Sequence, residues 1–370
     1  MPFTIPFANR TNRIASLATI SLAVLTLIGT PVLAANKYEK TVSETIPVED
    51  ARQIVIKSKS GDIVVIGDAR RVDVLLKVIK RVKAEDQEEA ERLADMMNVE
   101  VSRADGEIKI ETKYPKQKEL RKSIFSYILQ RGPSMDMEIH CTVPVSLELD
   151  VKTASGEVTI SKMAAPVEVA AASGDIDVSE IKGPVTVGVA SGDIEAADIK
   201  GSINFNSSSG DIVVKRVAGD AVVETSSGDI QISEIAGDLD LNTASGDATI
   251  DGVGSVSYRG VSGTGKFLEV RGGVSATAAS GDLTFQLLPE NDFDYSVRTS
   301  SGDIKLRFLK KMIGGFILKA GTTTGDMSAN LAITISKVGR NHIAGIVRDG
   351  RSKVVLETAS GDIVITEPEE

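Results

Sequence analysis

From Val167 to Val253 apolar and polar residues alternate in short runs, and the whole pattern returns after 18 residues. Laid in register, the units form apolar columns. The first holds Val167, Val185, Ile203, Ala221 and Leu239, and the second Val169, Val187, Phe205, Val223 and Leu241. Beyond a turn come Ile176, Ile194, Ile212, Ile230 and Ala248, then Val178, Ala196, Val214, Ile232 and Ile250. A fifth column is Ile181, Ile199, Val217, Ile235 and Val253, followed by Gly183, Gly201, Gly219 and Gly237. The columns between them (Glu168, Thr186, Asn204; Asp177, Glu195, Gln231) are mostly polar. A period of two predicts strands with one face inward and one outward.

The turn between the two runs has its own signature. Ser-Gly-acid begins at Ser155, Ser173, Ser191, Ser209, Ser227 and Ser245, then loosens through Ser262, Ser280, Ser301, Thr324 and Ser360. The last interval is 36, which predicts one coil near His342 without a signature; Ser60-Gly61-Asp62 stands alone far upstream. One such unit cannot bury its apolar face alone, but units stacked about 4.8 Å apart close a continuous core. Tandem helical repeats run to about 33 residues and propeller blades to about 40, so both are too long. The predicted fold is all-β: a parallel β-helix, or β-solenoid, of 18-residue coils over 151–366, for which parallel crossovers favour the right hand.

Outside the repeats the pattern changes. Strands are predicted at 53–56 and 63–66, with Val72, Val74, Leu76 and Val78 as a third. A helix is expected over 85–97, with Ala90, Leu93, Ala94 and Met97 on one face and acids in its first turn, where the helix dipole favours them. A hairpin is expected around Asp105-Gly106. Residues 35–150 therefore read as a small α+β region that covers the first coil's open edge. The segment 113–131 carries Lys113, Lys116, Lys118, Arg121, Lys122 and Arg131, with Leu120, Ile124, Tyr127 and Ile128 at helical spacing. That suits a cap packed on the solenoid or a peripheral membrane contact. The tail 367–370 is acidic, and its Pro368 and charges suit blunting of the last edge.

Residues 1–34 read as an export signal: Arg10 and Arg13, an apolar run from Ile14 to Ile28, Pro31, and small residues before an expected cleavage at Ala35. An uncleaved anchor is the rival reading. Loss of two arginines and no acid takes the net charge from −10 to −12, which disfavours nucleic acid as a partner. Cys141 has no second cysteine to pair with, and His140 and His342 are the only histidines, so a disulfide framework or a cysteine-built metal site is excluded. No cofactor and no catalytic residue is expected.

The turn itself is the one candidate site. Gly174, Gly192, Gly210, Gly228 and Gly246 supply a backbone angle that other residues avoid, and the Ser and Asp side chains are expected to brace the corner through local bonds. The alternative is a calcium ladder of Asp175, Asp193, Asp211, Asp229 and Asp247, because stacked carboxylates repel and oxygen-bound calcium would relieve that.

The units Thr153-Ala154-Ser155-Gly156, Thr225-Ser226-Ser227-Gly228-Asp229-Ile230, Thr243-Ala244-Ser245-Gly246-Asp247 and Glu357-Thr358-Ala359-Ser360-Gly361-Asp362-Ile363 resemble the bacterial putative-adhesin family of β-strand-repeat proteins, a domain of unknown function. The resemblance implies a cell-envelope β-solenoid over residues 40–366 and lends no catalytic residues. Three function classes follow: an exported, non-enzymatic interaction scaffold binding an envelope or surface macromolecule, a structural or polymerising envelope protein, and a polysaccharide-active β-helix enzyme. The scaffold is favoured, since the acids recur with the repeat and no coil stands out as a unique site.

Overall fold

A computed structural model describes residues 37–116, 133–288, 292–311 and 314–368. Residues 1–34, expected to be an export signal, and most of the basic segment, residues 117–131, lie outside them. Within each unit the run before the Ser-Gly turn joins one sheet and the run after it joins the other. Val167–Ser173 pairs in parallel with Val185–Ser191, and Ile176–Ser179 with Ile194–Ile199, each residue opposite the one 18 further on. Among the described residues the result is two long sheets of 15 and 16 strands and one helix. All five predicted columns are buried to 2% exposure or less, while Glu168, Thr186, Glu195 and Gln231 face outward. Equivalent residues thus stack on one another, and every coil supplies the cover its neighbour lacks. Each fully buried Val or Ile contributes about 1.5–3 kcal/mol.

The fifth column lies three residues beyond the fourth, which simple alternation would not turn inward. A left-handed residue restores the phase. Lys162, Glu180, Asp198, Arg216 and Glu234 all have φ between 56° and 63°, a conformation that costs a non-glycine residue on the order of 1 kcal/mol. That cost is offset by the buried Met163, Ile181, Ile199, Val217 and Ile235 that follow them.

The first coil in sequence is not the first in space. Gln53–Ser58 and Ile63–Asp68 flank the isolated Ser60-Gly61-Asp62 and stack directly beneath Glu148–Thr153 and Val158–Ser161. Glu107–Lys113 and Ser134–Pro144 lie on the other side, also parallel. The region expected to be only a cap therefore contains coils of the solenoid. The far end repeats the arrangement. Ser352–Ser360 and Ile363–Thr366 are held between the coil of Tyr295–Ser301 and Ile304–Phe308 and the strands Gly315–Thr324 and Met327–Asn330. The C-terminal coil is internal, so Glu367 and Pro368 do not blunt an edge as expected; Glu367 is bound by Arg348 at 3.0 Å, and Glu369 and Glu370 lie outside the described residues. The silent coil expected near His342 is instead an antiparallel hairpin, Thr334–Gly339 with His342–Arg348. Pairing antiparallel against Gly315–Thr324, it adds the last two strands of that sheet and ends the parallel stack.

Antiparallel strands also close the first end. Asp73–Lys83 runs between Lys37–Pro47 and Ser134–Pro144, with Val74, Leu76 and Val78 buried and Val72 outside the strand at 82% exposure. The hairpin of Asn98–Ala104 and Glu107–Lys113 turns at Asp105-Gly106, where φ is 53° and 77°. The helix is Gln87–Met96, capped by Asp86 Oδ1 accepting from the Glu89 N–H at 2.8 Å. It buries Ala90, Leu93 and Ala94. Lys80 rises from the strand below to donate to the carbonyls of Met97 (2.5 Å) and Ala94 (3.3 Å) at its other end. Burial lowers the Lys80 pKa.

Ile212 lies between Ile194 and Ile230 in the ladder. Ile212→Asp is expected to cost several kcal/mol, whereas the outward Glu195→Gln is expected to change stability by less than about 0.5 kcal/mol. Equal losses in denaturant unfolding would contradict the assignment of faces.

Candidate interaction surface

At the Ser-Gly-Asp corner neighbouring coils approach closely. Gly174, Gly192, Gly210, Gly228 and Gly246 have φ between 115° and 137°. A Cβ on any of them would lie 2.0–2.2 Å from the carbonyl oxygen of the glycine one coil earlier. Two independent constraints therefore require glycine.

The aspartates do not brace their own corners, as local turn chemistry predicts, but reach across coils. The Asp175 carboxylate accepts the backbone N–H of Asp193 at 2.9 Å, Asp193 that of Asp211 at 2.8 Å, Asp211 that of Asp229 at 2.8 Å, and Asp229 that of Asp247 at 3.0 Å. Asp247 reaches the Thr264 N–H at 2.7 Å. The series follows the stacking order rather than the chain order, since Asp303 accepts from Asp362 and Asp362 from Asp326, both at 2.8 Å. The five predicted aspartates and five glycines are thus brought together as two parallel lines. Each carboxylate is held by a hydrogen-bond donor, which offsets the repulsion between stacked charges.

Local bracing is done by a residue to which the sequence reading assigned no role. Thr153, Ser207, Thr225, Thr243 and Thr299 are buried and donate to the carbonyl two residues on, at 3.0–3.2 Å. The recurrence of Thr two places before Ser-Gly was the available signal. Gly260 breaks this column because the Tyr258 ring fills the space; a Cβ there would lie 2.3 Å from the Tyr258 hydroxyl. A second, shorter ladder runs on another corner, where Asp220 accepts from the Asp238 N–H and Asp238 from the Ser255 N–H at 2.9 and 2.7 Å.

Among the described residues no three His, Cys, Asp or Glu side chains form a group able to hold a metal ion. Cys141 is fully buried and its thiol is pushed up to about 12, which leaves it without thiolate at neutral pH. The clearest carboxylate shift belongs to Glu111, held down at about 2 by its bonds to Lys109 and Lys113. On the face of one sheet, burial and the neighbouring Glu195 raise Asp177. No helix among the described residues is long and apolar enough to cross a membrane.

Grooves interrupt the faces among the described residues. One, of about 510 Å³, crosses five coils and is lined by Asp220, Asp238, Asp240, Asp294 and a row of serines. Another, of about 820 Å³, lies where Ile66–Arg70 leaves the stack beside Lys162, Lys182 and Lys200.

The model of the Toastrack DUF4097 family matches residues 18–219 and 197–366. The chain belongs to that family. The match spans the repeats, the threaded first coil and the closing strands, so Toastrack describes the architecture rather than the repeat alone. Two solved structures are similar over most of their length. A putative cell adhesion protein from Clostridium sporogenes is 11% identical, covers 89% of this chain and 100% of its own, and has a TM-score of 0.25. A putative lipid binding protein from Parabacteroides distasonis is 16% identical, with 88% and 96% covered and a TM-score of 0.32. At those TM-scores neither likeness bears on function. No curated protein matches the chain.

If the aspartates act through the next coil's backbone, Asp211→Asn is expected to be mild, because its amide oxygen accepts the same N–H. Asp211→Ala is expected to cost about 1 kcal/mol. Chelator is expected to leave the melting temperature unchanged. A rise in millimolar calcium that is lost in Asp211→Asn would assign the ladder to a metal instead.

Proposed function

We propose that this Toastrack protein is an exported, non-enzymatic interaction scaffold of the adhesin kind. The observation that carries this reading is the contrast between interior and faces. Inward columns stay apolar from coil to coil, whereas the outward column Glu168, Thr186, Asn204, Val222 and Asp240 passes between acidic, neutral polar and apolar residues. A rigid ladder with a varied face suits an extended macromolecular partner, while a catalytic centre needs a few groups held in one special arrangement. The turn carboxylates are each engaged with a neighbouring backbone N–H, and the lone thiol is buried. Both features favour binding over chemistry. Stacking end to end into a polymer is disfavoured by the antiparallel strands at both ends and by the irregularity between Ile335 and Lys337 in one edge strand, devices that blunt sheet edges.

The test is surface biotinylation of intact cells, followed by retention of size-fractionated envelope polymers on the immobilised mature chain. The expected result is a labelled protein that retains a polymer fraction and leaves its size distribution unchanged. A protein inaccessible from outside, or a polymer shortened on contact, would contradict the scaffold.

A further inference from the structure

The two sheets do not end together. One stops at Met327–Asn330, while the other runs on for two more strands, His342–Arg348 and Thr334–Gly339. This hairpin overhangs the core with no strand opposite it. At the first end the outermost strands of one sheet, Lys37–Pro47 and Asp73–Lys83, are covered by the helix Gln87–Met96, which packs against both. Among the described residues the last end has no helix to do the same.

The uncovered strands are apolar on both sides. Ile335 and Val338 pair with Gly345 and Ile343, on the side where Gly345 and Val347 are buried, and the irregularity between Ile335 and Lys337 brings both to that side. They are nevertheless 56% and 65% exposed. On the opposite side the cross-strand pair Ile317 and Ile346 is 37% and 42% exposed. The charge here also departs from the rest of the chain. Residues 304–348 hold eight Lys and Arg and a single acid, Asp326, in a protein with 52 acids to 42 Lys and Arg. Lys319, Ala344 and Lys337 form one row across three strands, and Lys353, Ile317, Ile346 and Thr334 form the next. Lys319, Lys337, Lys353 and Arg340 at the turn are exposed. None of the four has an ion pair among the described residues, and the nearby Glu367 and Asp349 are engaged by Arg348 and Arg351.

This combination selects the occupant. A rigid protein partner covers one side of a hairpin, and a nucleic acid offers phosphates but no apolar medium for four aliphatic side chains. A lipid interface takes up both sides of a thin edge at once, while Lys and Arg extend to the headgroups. We propose that this end of the solenoid docks on an anionic lipid surface, with Ile335 and Val338 entering the interface and Lys337 and Arg340 meeting the headgroups. The proposal goes beyond the scaffold reading and does not depend on it: one end is fixed, and the varied faces stay free for a partner. Attraction to anionic headgroups makes the contact weaken with salt.

The experiment is cosedimentation of the full mature chain with vesicles of phosphatidylglycerol and phosphatidylcholine at low and high salt, with pure phosphatidylcholine vesicles as the neutral control. The expected result is salt-sensitive binding to the anionic vesicles alone. Lys337→Glu with Arg340→Glu, and separately Ile335→Ser with Val338→Ser, are each expected to weaken it at least about tenfold. Lys215→Glu with Lys266→Glu, exposed on the middle coils and equal in charge change, is expected to leave it within about twofold. All three pairs are expected to keep the parent melting temperature, since the side chains they replace are exposed. Failure to bind anionic vesicles, or equal losses in the two charge-reversed pairs, would overturn the proposal. Unchanged binding by the serine pair would also overturn it, since the contact would then be with charge alone. Loss of binding on Lys118→Glu with Lys122→Glu but not on Lys337→Glu with Arg340→Glu would assign the contact to the basic segment 113–131 instead. A dimer that the serine pair dissociates would assign the patch to a second copy of the chain.

Discussion

Everything in this molecule depends on how closely one coil can approach the next at the Ser-Gly-Asp corner. The glycines there stack so tightly that each sits where its neighbour's side chain would be. That contact sets the register, since identical residues oppose one another only when the corners coincide. The Ile and Val ladders, the buried threonines and the carboxylate line all inherit their alignment from it. The corner also explains why the repeat tolerates variation elsewhere: a polar residue facing outward meets solvent, whereas any Cβ at the corner meets backbone.

A stack of identical coils has no natural end, and the chain solves this by folding back over itself. At both ends an outer coil is laid against one that is terminal in sequence, and antiparallel strands follow. The strands of the first and last Ser-Gly-Asp coils thereby become internal, with hydrogen-bond partners on both sides. Unpaired edges pass to shorter or irregular strands, or to strands next to the helix. The same departure from the stack opens the groove beside Ile66–Arg70, so the feature that caps the solenoid also creates an irregular surface.

The interior was legible in the residues because burial in a stacked sheet keeps each inward column apolar, and 18 positions repeated many times expose it. The stacking order was not legible. Ser60-Gly61-Asp62 carries the full signature, but nothing in its neighbourhood says that Glu107–Lys113 and Ser134–Pro144 lie beneath it while Glu148–Thr153 and Val158–Ser161 lie above. Spatial order across an insertion is set by pairing partners distant in sequence, and periodicity reports only local geometry. The interval of 36 misled for the same reason, since a capping hairpin and a silent coil occupy similar lengths. In the candidate site, the glycine and aspartate lines were expected, but the direction of the Asp bonds was not: a side chain reaching its own turn and one reaching the next coil need the same residue at the same place.

The account places the decisive constraint at one corner, and two glycines of the same sheet region separate it from a general intolerance of side chains. At Gly210, φ is 120° and a Cβ would lie 2.1 Å from the Gly192 carbonyl oxygen. At Gly188, in the strand Val185–Ser191, a Cβ would meet nothing within 4 Å. The most direct measurement is denaturant unfolding of Gly210→Ala beside Gly188→Ala. The account predicts a loss of more than about 3 kcal/mol, or failure to fold, for the first, and a change within about 0.5 kcal/mol for the second. A Gly210→Ala chain as stable as the parent would contradict the claim that this contact governs the stack.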